Sequence, residues 1–145
     1  MLRKLLFHIS HFVITAYTRL MLKMNVHRYG DLPDGPFLIA SNHPSTTDAI
    51  FVHTLSRQPL SVMIHTKIFT IPLLGRYMRT MRQIPVIPGK GEQVIEAAEE
   101  RLNAGQSVVI FPEGHITAHD SPRRVRLGVA HLAMKSGVPV VPMGI

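Results

Sequence analysis

Apolar positions recur along this chain at two spacings. Short runs rich in Val, Ile and Phe, bounded by Pro or Gly, predict strands at Phe37–Ser41, Leu60–His65, Ile84–Ile87, Ser107–Phe111 and Val138–Met143, with a weaker one at Asn25–Tyr29. Between most of these, apolar residues return every three or four positions, predicting helices over Pro44–Ser56, Ile71–Met81, Glu92–Asn103 and Arg124–Ser136. In the third helix the acids Glu92, Glu96, Glu99 and Glu100 cluster toward the start. Val94, Ile95, Ala98 and Leu102 make its buried face, and Gly105 stops it. Strands alternating with helices imply an α/β fold, a mixed, mostly parallel sheet flanked by helices. In such sheets the site lies where strands end and helices begin. The segments Asn42–Asp48 and Phe111–Gly114 fit that position best.

The first 24 residues follow a pattern of their own. Leu2, Leu5, Leu6, Ile9, Phe12, Val13, Ala16, Leu20 and Met24 recur at helical spacing, with Arg3, Lys4, Arg19 and Lys23 near the ends. The uncharged run Leu5–Thr18 is too short to span a bilayer, which takes about 20 apolar residues. Basic residues resume at Arg19 without a small-residue cleavage site, which argues against a secretory signal. Two placements fit the stripe: in the membrane interface with basic ends among headgroups, or packed on the chain's own domain. We take the first, which divides the chain into an interfacial helix over 1–24 and an α/β domain over 25–145. The C-terminal Val138–Ile145 run reads as a central strand. Either further chain follows it or this is a minimal version of its fold.

Composition narrows the chemistry. The formal charge is +7 at 46% hydrophobic and 17% charged residues, which suits anionic partners and excludes a disordered chain. No cysteine is present, so disulfides, thiolate metal sites and cysteine nucleophiles are excluded. Aromatics make up only 6% and no nucleic-acid-binding module occurs, so no nucleic-acid partner is expected.

The strongest local feature is Asn42-His43-Pro44-Ser45-Thr46-Thr47-Asp48 at the end of the first strong strand. Pro44 suits the first position of a helix, leaving His43 just before it and Asp48 one turn in. On a continuous helix the two would diverge by about 140°, but a pre-helical His43 lets Asp48 reach one ring nitrogen. That fixes the tautomer and leaves the other nitrogen as a base. Free N–H groups of Ser45 and Thr46 would then face the cleft and favour negative charge. A capping or core histidine is the plainer alternative. No Gly-x-Ser-x-Gly elbow occurs, which argues against a serine hydrolase despite Ser41 and Ser45.

The same segment resembles the N-H-x-x-x-x-D signature of the glycerolipid acyltransferases, the 1-acylglycerol-3-phosphate acyltransferase family. Three further blocks match in order: Lys67 with Ile71-Pro72-Leu73-Leu74-Gly75-Arg76, then Phe111-Pro112-Glu113-Gly114, then Val138-Pro139-Val140-Val141-Pro142. The resemblance implies His43 as general base and Asp48 as its orienting partner. It implies Lys67 and Arg76 as phosphate contacts and Glu113 and Gly114 as acceptor-pocket residues. Asn42, Pro72, Gly75, Pro112, Pro139 and Pro142 would support the site. The family uses no metal or cofactor and forms no acyl-enzyme. Its donor is acyl-CoA or acyl carrier protein, its acceptor a lysophospholipid, and its workplace the membrane phospholipid surface. It is therefore expected to be membrane-associated, peripheral or monotopic, on the cytoplasmic face.

Two departures bear on the acceptor. The third block usually continues Gly-Thr-Arg-Ser, whereas this chain has Gly114-His115-Ile116-Thr117. A replacement cation is available in Arg123, Arg124 or Arg126, which could equally be a solvated basic helix end. The Gly-x-Ile-Thr continuation is similar to that of 2-acylglycerophosphoethanolamine acyltransferases. Pro88 stands where many relatives carry Arg. Glu113, His115, His119 and Asp120 are dense in metal-ligating types, but no metal is expected on a loop without preset geometry. The expected reaction is acylation of 1-acylglycerol-3-phosphate to phosphatidic acid. The alternatives are another lysophospholipid acceptor, or a basic lipid-binding module without turnover.

Overall fold

The computed structural model describes residues 2–117 and 125–145. Its centre is a five-stranded sheet of β1 (Leu38–Ser41), β2 (Ser61–His65), β3 (Ile84–Val86), β4 (Val108–Ile110) and β5 (Val140–Met143), in the order β3-β2-β4-β1-β5. Every pairing is parallel, with Leu38 level with Val108 and Val140, and Ser61 also level with Val108. The expected α/β fold with a mostly parallel sheet is present, and among the described residues no antiparallel pairing joins it. The weak strand at Asn25–Tyr29 does not form. Its one aliphatic side chain, Val26, stays exposed, and Arg28 instead donates to the Leu55 carbonyl at 2.7 Å.

Helices connect the strands: α1 (Leu2–Leu20), α2 (Asp48–His53), α3 (Pro72–Thr80), α4 (Gly91–Asn103) and α5 (Gly128–Ser136), with a 3₁₀ turn at Thr66–Thr70. Alternation along the strands sorts the core into two layers. Leu38, Ile84, Val108 and Ile110 face Val94, Ala98 and Leu102 of α4 and Leu132 of α5. Ile39, Val62, Val109 and Phe111 face the other way, toward Val52 of α2. Central β1 and β4 are apolar on both faces because both are covered.

The apolar stripe of α1 does not pack on the domain. Phe12 is 74% and Leu20 76% exposed, and Leu2, Leu5, Ile9 and Val13 share their arc. The helix is held through its other side, where Phe7 and Thr18 are fully buried and Ser10 and His11 reach His53 of α2. No described helix is long and apolar enough to cross a membrane.

Candidate functional site

Because all five strands run the same way, the turns that follow them gather on one edge. His43 follows β1, Lys67 follows β2 and Phe111–Gly114 follows β4, the strand between them. The His43 Nδ1 lies 2.8 Å from Asp48 Oδ2. The ring is 19% exposed while the carboxylate is fully buried. A second bond, from the Ser45 N–H at 2.8 Å, falls on the same carboxylate oxygen. The imidazole stacks on Phe111 with ring centroids 4.1 Å apart and 18° between planes. His43 is thus fixed on one nitrogen and one face. Its Nε2 makes no hydrogen bond among the described residues, and so is available to accept a proton.

The local fold differs from expectation in one chemically important way. α2 begins at Asp48, four residues later than Pro44 suggested, and it is only six residues long. The stretch before it is a turn tied by side chains, with Ser45 Oγ 3.0 Å from Thr47 Oγ1. The Ser45 N–H, expected to be free for negative charge, is spent on Asp48. A buried carboxylate needs donors, and the Ser45 amide supplies one beside His43.

The Phe111–Gly114 turn closes beside the pair. Gly114, at φ +71°, sits where a Cβ would come within 2.7 Å of Arg126 Nε, so the Arg126 side chain lies over the turn. Backbone bonds hold this arrangement: Arg126 N–H to the Pro112 carbonyl at 2.8 Å, and Thr117 N–H to the His43 carbonyl at 2.9 Å. Glu113 is buried at 3% exposure. Of the three candidate replacement cations, Arg126 is at the turn, while Arg123 and Arg124 lie outside the described residues. His119 and Asp120 lie outside them as well. The described residues contain no group of three metal-ligating side chains.

Lys67 and Arg76 are exposed, Lys67 in the turn after β2 and Arg76 within α3, and neither side chain bonds to the His43–Asp48 pair. With β4 between β1 and β2, the Lys67 turn stands about 10 Å from the His43 turn across the sheet. Gly75 is required by packing, since a Cβ there would overlap the Phe69 carbonyl. Pro72 starts α3. The Pro139 carbonyl accepts from Leu38 N–H at 2.9 Å. Pro142 is level with Ala40. Asn42 bonds Ile145 twice, its Oδ1 accepting at 2.7 Å and its Nδ2 donating at 3.0 Å.

Sequence reasoning overlooked Phe111 as the platform for His43. The signal was present in the alternation, because Phe37 and Ile39 at β1 and Val109 and Phe111 at β4 fall on one face of the sheet. A cavity of about 580 Å³ lies elsewhere, between the end of α1 and residues 23–28, lined by Arg19, Lys23, Arg28 and Thr54. Its lining includes no histidine–carboxylate pair like that of His43 and Asp48.

A parallel α/β sheet bearing this histidine–aspartate pair fits the family that matches the chain. Residues 23–145 match the Acyltransferase family, and the chain belongs to it. Over 142 residues it is 30% identical to a chloroplastic 1-acyl-sn-glycerol-3-phosphate acyltransferase of Arabidopsis thaliana, covering 92% of this chain and 40% of that protein. Over 126 residues it is 29% identical to a lyso-ornithine lipid O-acyltransferase of Pseudomonas aeruginosa, covering 86% of this chain and 48% of that one. The crystal structure of the 1-acyl-sn-glycerophosphate acyltransferase of Thermotoga maritima superposes with a TM-score of 0.77 at 22% identity. That superposition spans 97% of this chain and 57% of the other. The chain therefore spans about half the length of these proteins or less.

Proposed function

We propose that this chain carries the catalytic domain of an enzyme that transfers a fatty acyl group from acyl-CoA or acyl carrier protein to the free hydroxyl of 1-acylglycerol-3-phosphate, yielding phosphatidic acid. The observation that carries the reading is the 2.8 Å bond from His43 Nδ1 to a wholly buried Asp48, which leaves Nε2 uncommitted on a partly exposed ring. In this scheme Nε2 takes the acceptor hydroxyl proton as the oxygen attacks the thioester carbonyl. Asp48 holds the ring and supplies counter-charge to the imidazolium. The tetrahedral intermediate then expels the thiolate, which takes the proton back from His43 as the C–S bond breaks. Lys67, Arg76 and Arg126, with Arg123 and Arg124, supply cations for the acceptor phosphate, and Glu113 and Gly114 line its pocket. Asn42, Pro72, Gly75, Pro112, Pro139 and Pro142 hold the surrounding turns. No cofactor beyond the thioester co-substrate is required.

Residues 1–24 attach the catalytic domain, 25–145, to the cytoplasmic face of a membrane as a peripheral or monotopic protein. The exposed arc of α1 supports this, because such an arc loses apolar contact with water when it enters the interface. Replacing His43 by Ala is expected to lower turnover at least about 100-fold. Vesicle binding should stay unchanged and the chain should remain folded. Undiminished turnover would leave a basic lipid-binding module as the better description.

A second acceptor class has specific support. His115, Ile116 and Thr117 replace the usual continuation of the third block, and one relative is named for a lyso-ornithine lipid. Comparing thioester consumption with 1-acylglycerol-3-phosphate, lysophosphatidylethanolamine and lyso-ornithine lipid decides between them.

A further inference from the structure

On the sheet edge opposite His43, two arginines from separate segments meet on one glutamine, and the charge of a third acts on the first. Arg3 lies in the first turn of α1, Arg82 just before β3, and Arg101 in the last turn of α4. Gln106, just before β4, sits between two of them. With its amide oxygen facing the guanidinium groups, it accepts from Arg3 Nη1 at 2.8 Å and Arg82 Nη1 at 2.6 Å. Gln106 precedes Phe111 by five residues, so this edge lies about 17 Å from the turn that follows β4.

The cluster is electrostatically incomplete. Among the described residues no carboxylate pairs with any of the three, and the one acceptor they share is neutral. Burial first, and then the charges of Arg82 and Arg101, push Arg3 below the usual arginine pKa. The Nε atoms of Arg3 and Arg101 are buried without an acceptor, a cost that native structures rarely leave standing. Arg82 adds backbone strain, with φ at +58° in a region that disfavours side chains. It also remains exposed, so the cluster is open to solvent.

We propose that Arg3, Arg82 and Arg101 form a binding site for a phosphate group, separate from the catalytic edge. A tetrahedral oxyanion supplies several acceptors at once, matching forked guanidinium donors from three directions. Arg3 is on the helix that carries the exposed apolar stripe, so a phospholipid headgroup and a soluble phosphate are both sources of this chemistry. This site does not depend on the acyltransfer reading.

The test uses the whole chain and two variants. Arg82→Gly with Arg101→Gln removes two of the cations and places glycine where φ is positive. Arg57→Gln with Lys90→Gln removes the same charge from the surface elsewhere. In the first arm, inorganic phosphate and pyrophosphate are added at constant ionic strength set with chloride. The melting temperature of the wild type and the surface control should rise by roughly 3 °C or more, and that of the site variant should not. In the second arm, sedimentation with vesicles containing phosphatidic acid is compared with pure phosphatidylcholine vesicles. The site variant should bind the anionic vesicles about 10-fold or more weakly than the surface control, the scale of two cations at headgroups. A response in the first arm identifies a site open to soluble phosphate. A response in the second arm alone identifies a headgroup site. Equal behaviour of both variants in both arms overturns the proposal. Should the double variant not fold, Arg82→Gly alone decides on the same criteria, with about a 3-fold effect expected in the second arm.

Discussion

His43 has two neighbours with separable contributions. Asp48 sets which nitrogen carries the proton, and Phe111 sets the plane of the ring. Asp48→Asn keeps shape but can present an N–H toward Nδ1, favouring the tautomer that has its proton on Nε2. Turnover is expected to fall at least about 100-fold with little change in KM. A fall confined to KM would instead mean that Asp48 serves binding. Gly75 makes a different kind of demand, set by the nearby Phe69 backbone carbonyl. Gly75→Ala must displace that backbone, so chemical denaturation should show a loss of roughly 1–3 kcal/mol. An unchanged midpoint would mean that the 3₁₀ turn moves aside freely.

At the level of elements, α1 is joined to α2 and α3 by a small polar network. Tyr77 donates to Ser10 Oγ at 2.8 Å, and Ser10 Oγ lies 3.2 Å from His53 Nε2. Burial, and secondarily His11, lower the His53 pKa from 6.5 to about 4. The folded chain therefore favours neutral His53. The stability tied to that preference is complete above pH 6.5 and is lost as pH falls through 4. Its size is on the order of 2 kcal/mol after allowance for solvent screening. Urea midpoints measured between pH 7 and pH 4 should fall more steeply for the wild type than for His53→Gln. Parallel curves would show that His53 is not the group responsible. The elements themselves were largely readable. Each strong strand was placed within two residues, because runs such as Val108–Ile110 are apolar on both faces and bounded by turn residues. The start of α2 was misplaced because Pro44 looks like a helix opener. Only the folded chain brings Asp48 back onto Ser45 and delays the first turn.

Across the whole molecule, legibility fell with the number of segments that had to meet. The His43–Asp48 pairing lies within six residues and was anticipated from spacing. The cation over Gly114 was narrowed to three arginines, of which Arg126 is at the turn. The Arg3–Arg82–Arg101 cluster was invisible, since its parts are spread over nearly a hundred positions and meet only when α1, α3, α4 and β4 are packed. The pattern of α1 fitted membrane or domain, of which the membrane interface was taken, and folding leaves the stripe uncovered. Replacing exposed Phe12 and Leu20 together with Asp should weaken binding to anionic vesicles at least about 10-fold while the melting temperature holds. Unaltered binding would detach the membrane role from this helix.

The uncovered arc of α1 also has a consequence away from any bilayer. In plain buffer two such ridges can satisfy each other, so the purified chain should self-associate as its concentration rises. A mild detergent above its micellar threshold should disperse the aggregates, and light scattering would record both changes. An uncovered apolar ridge thus makes the chain sticky wherever water is its only neighbour.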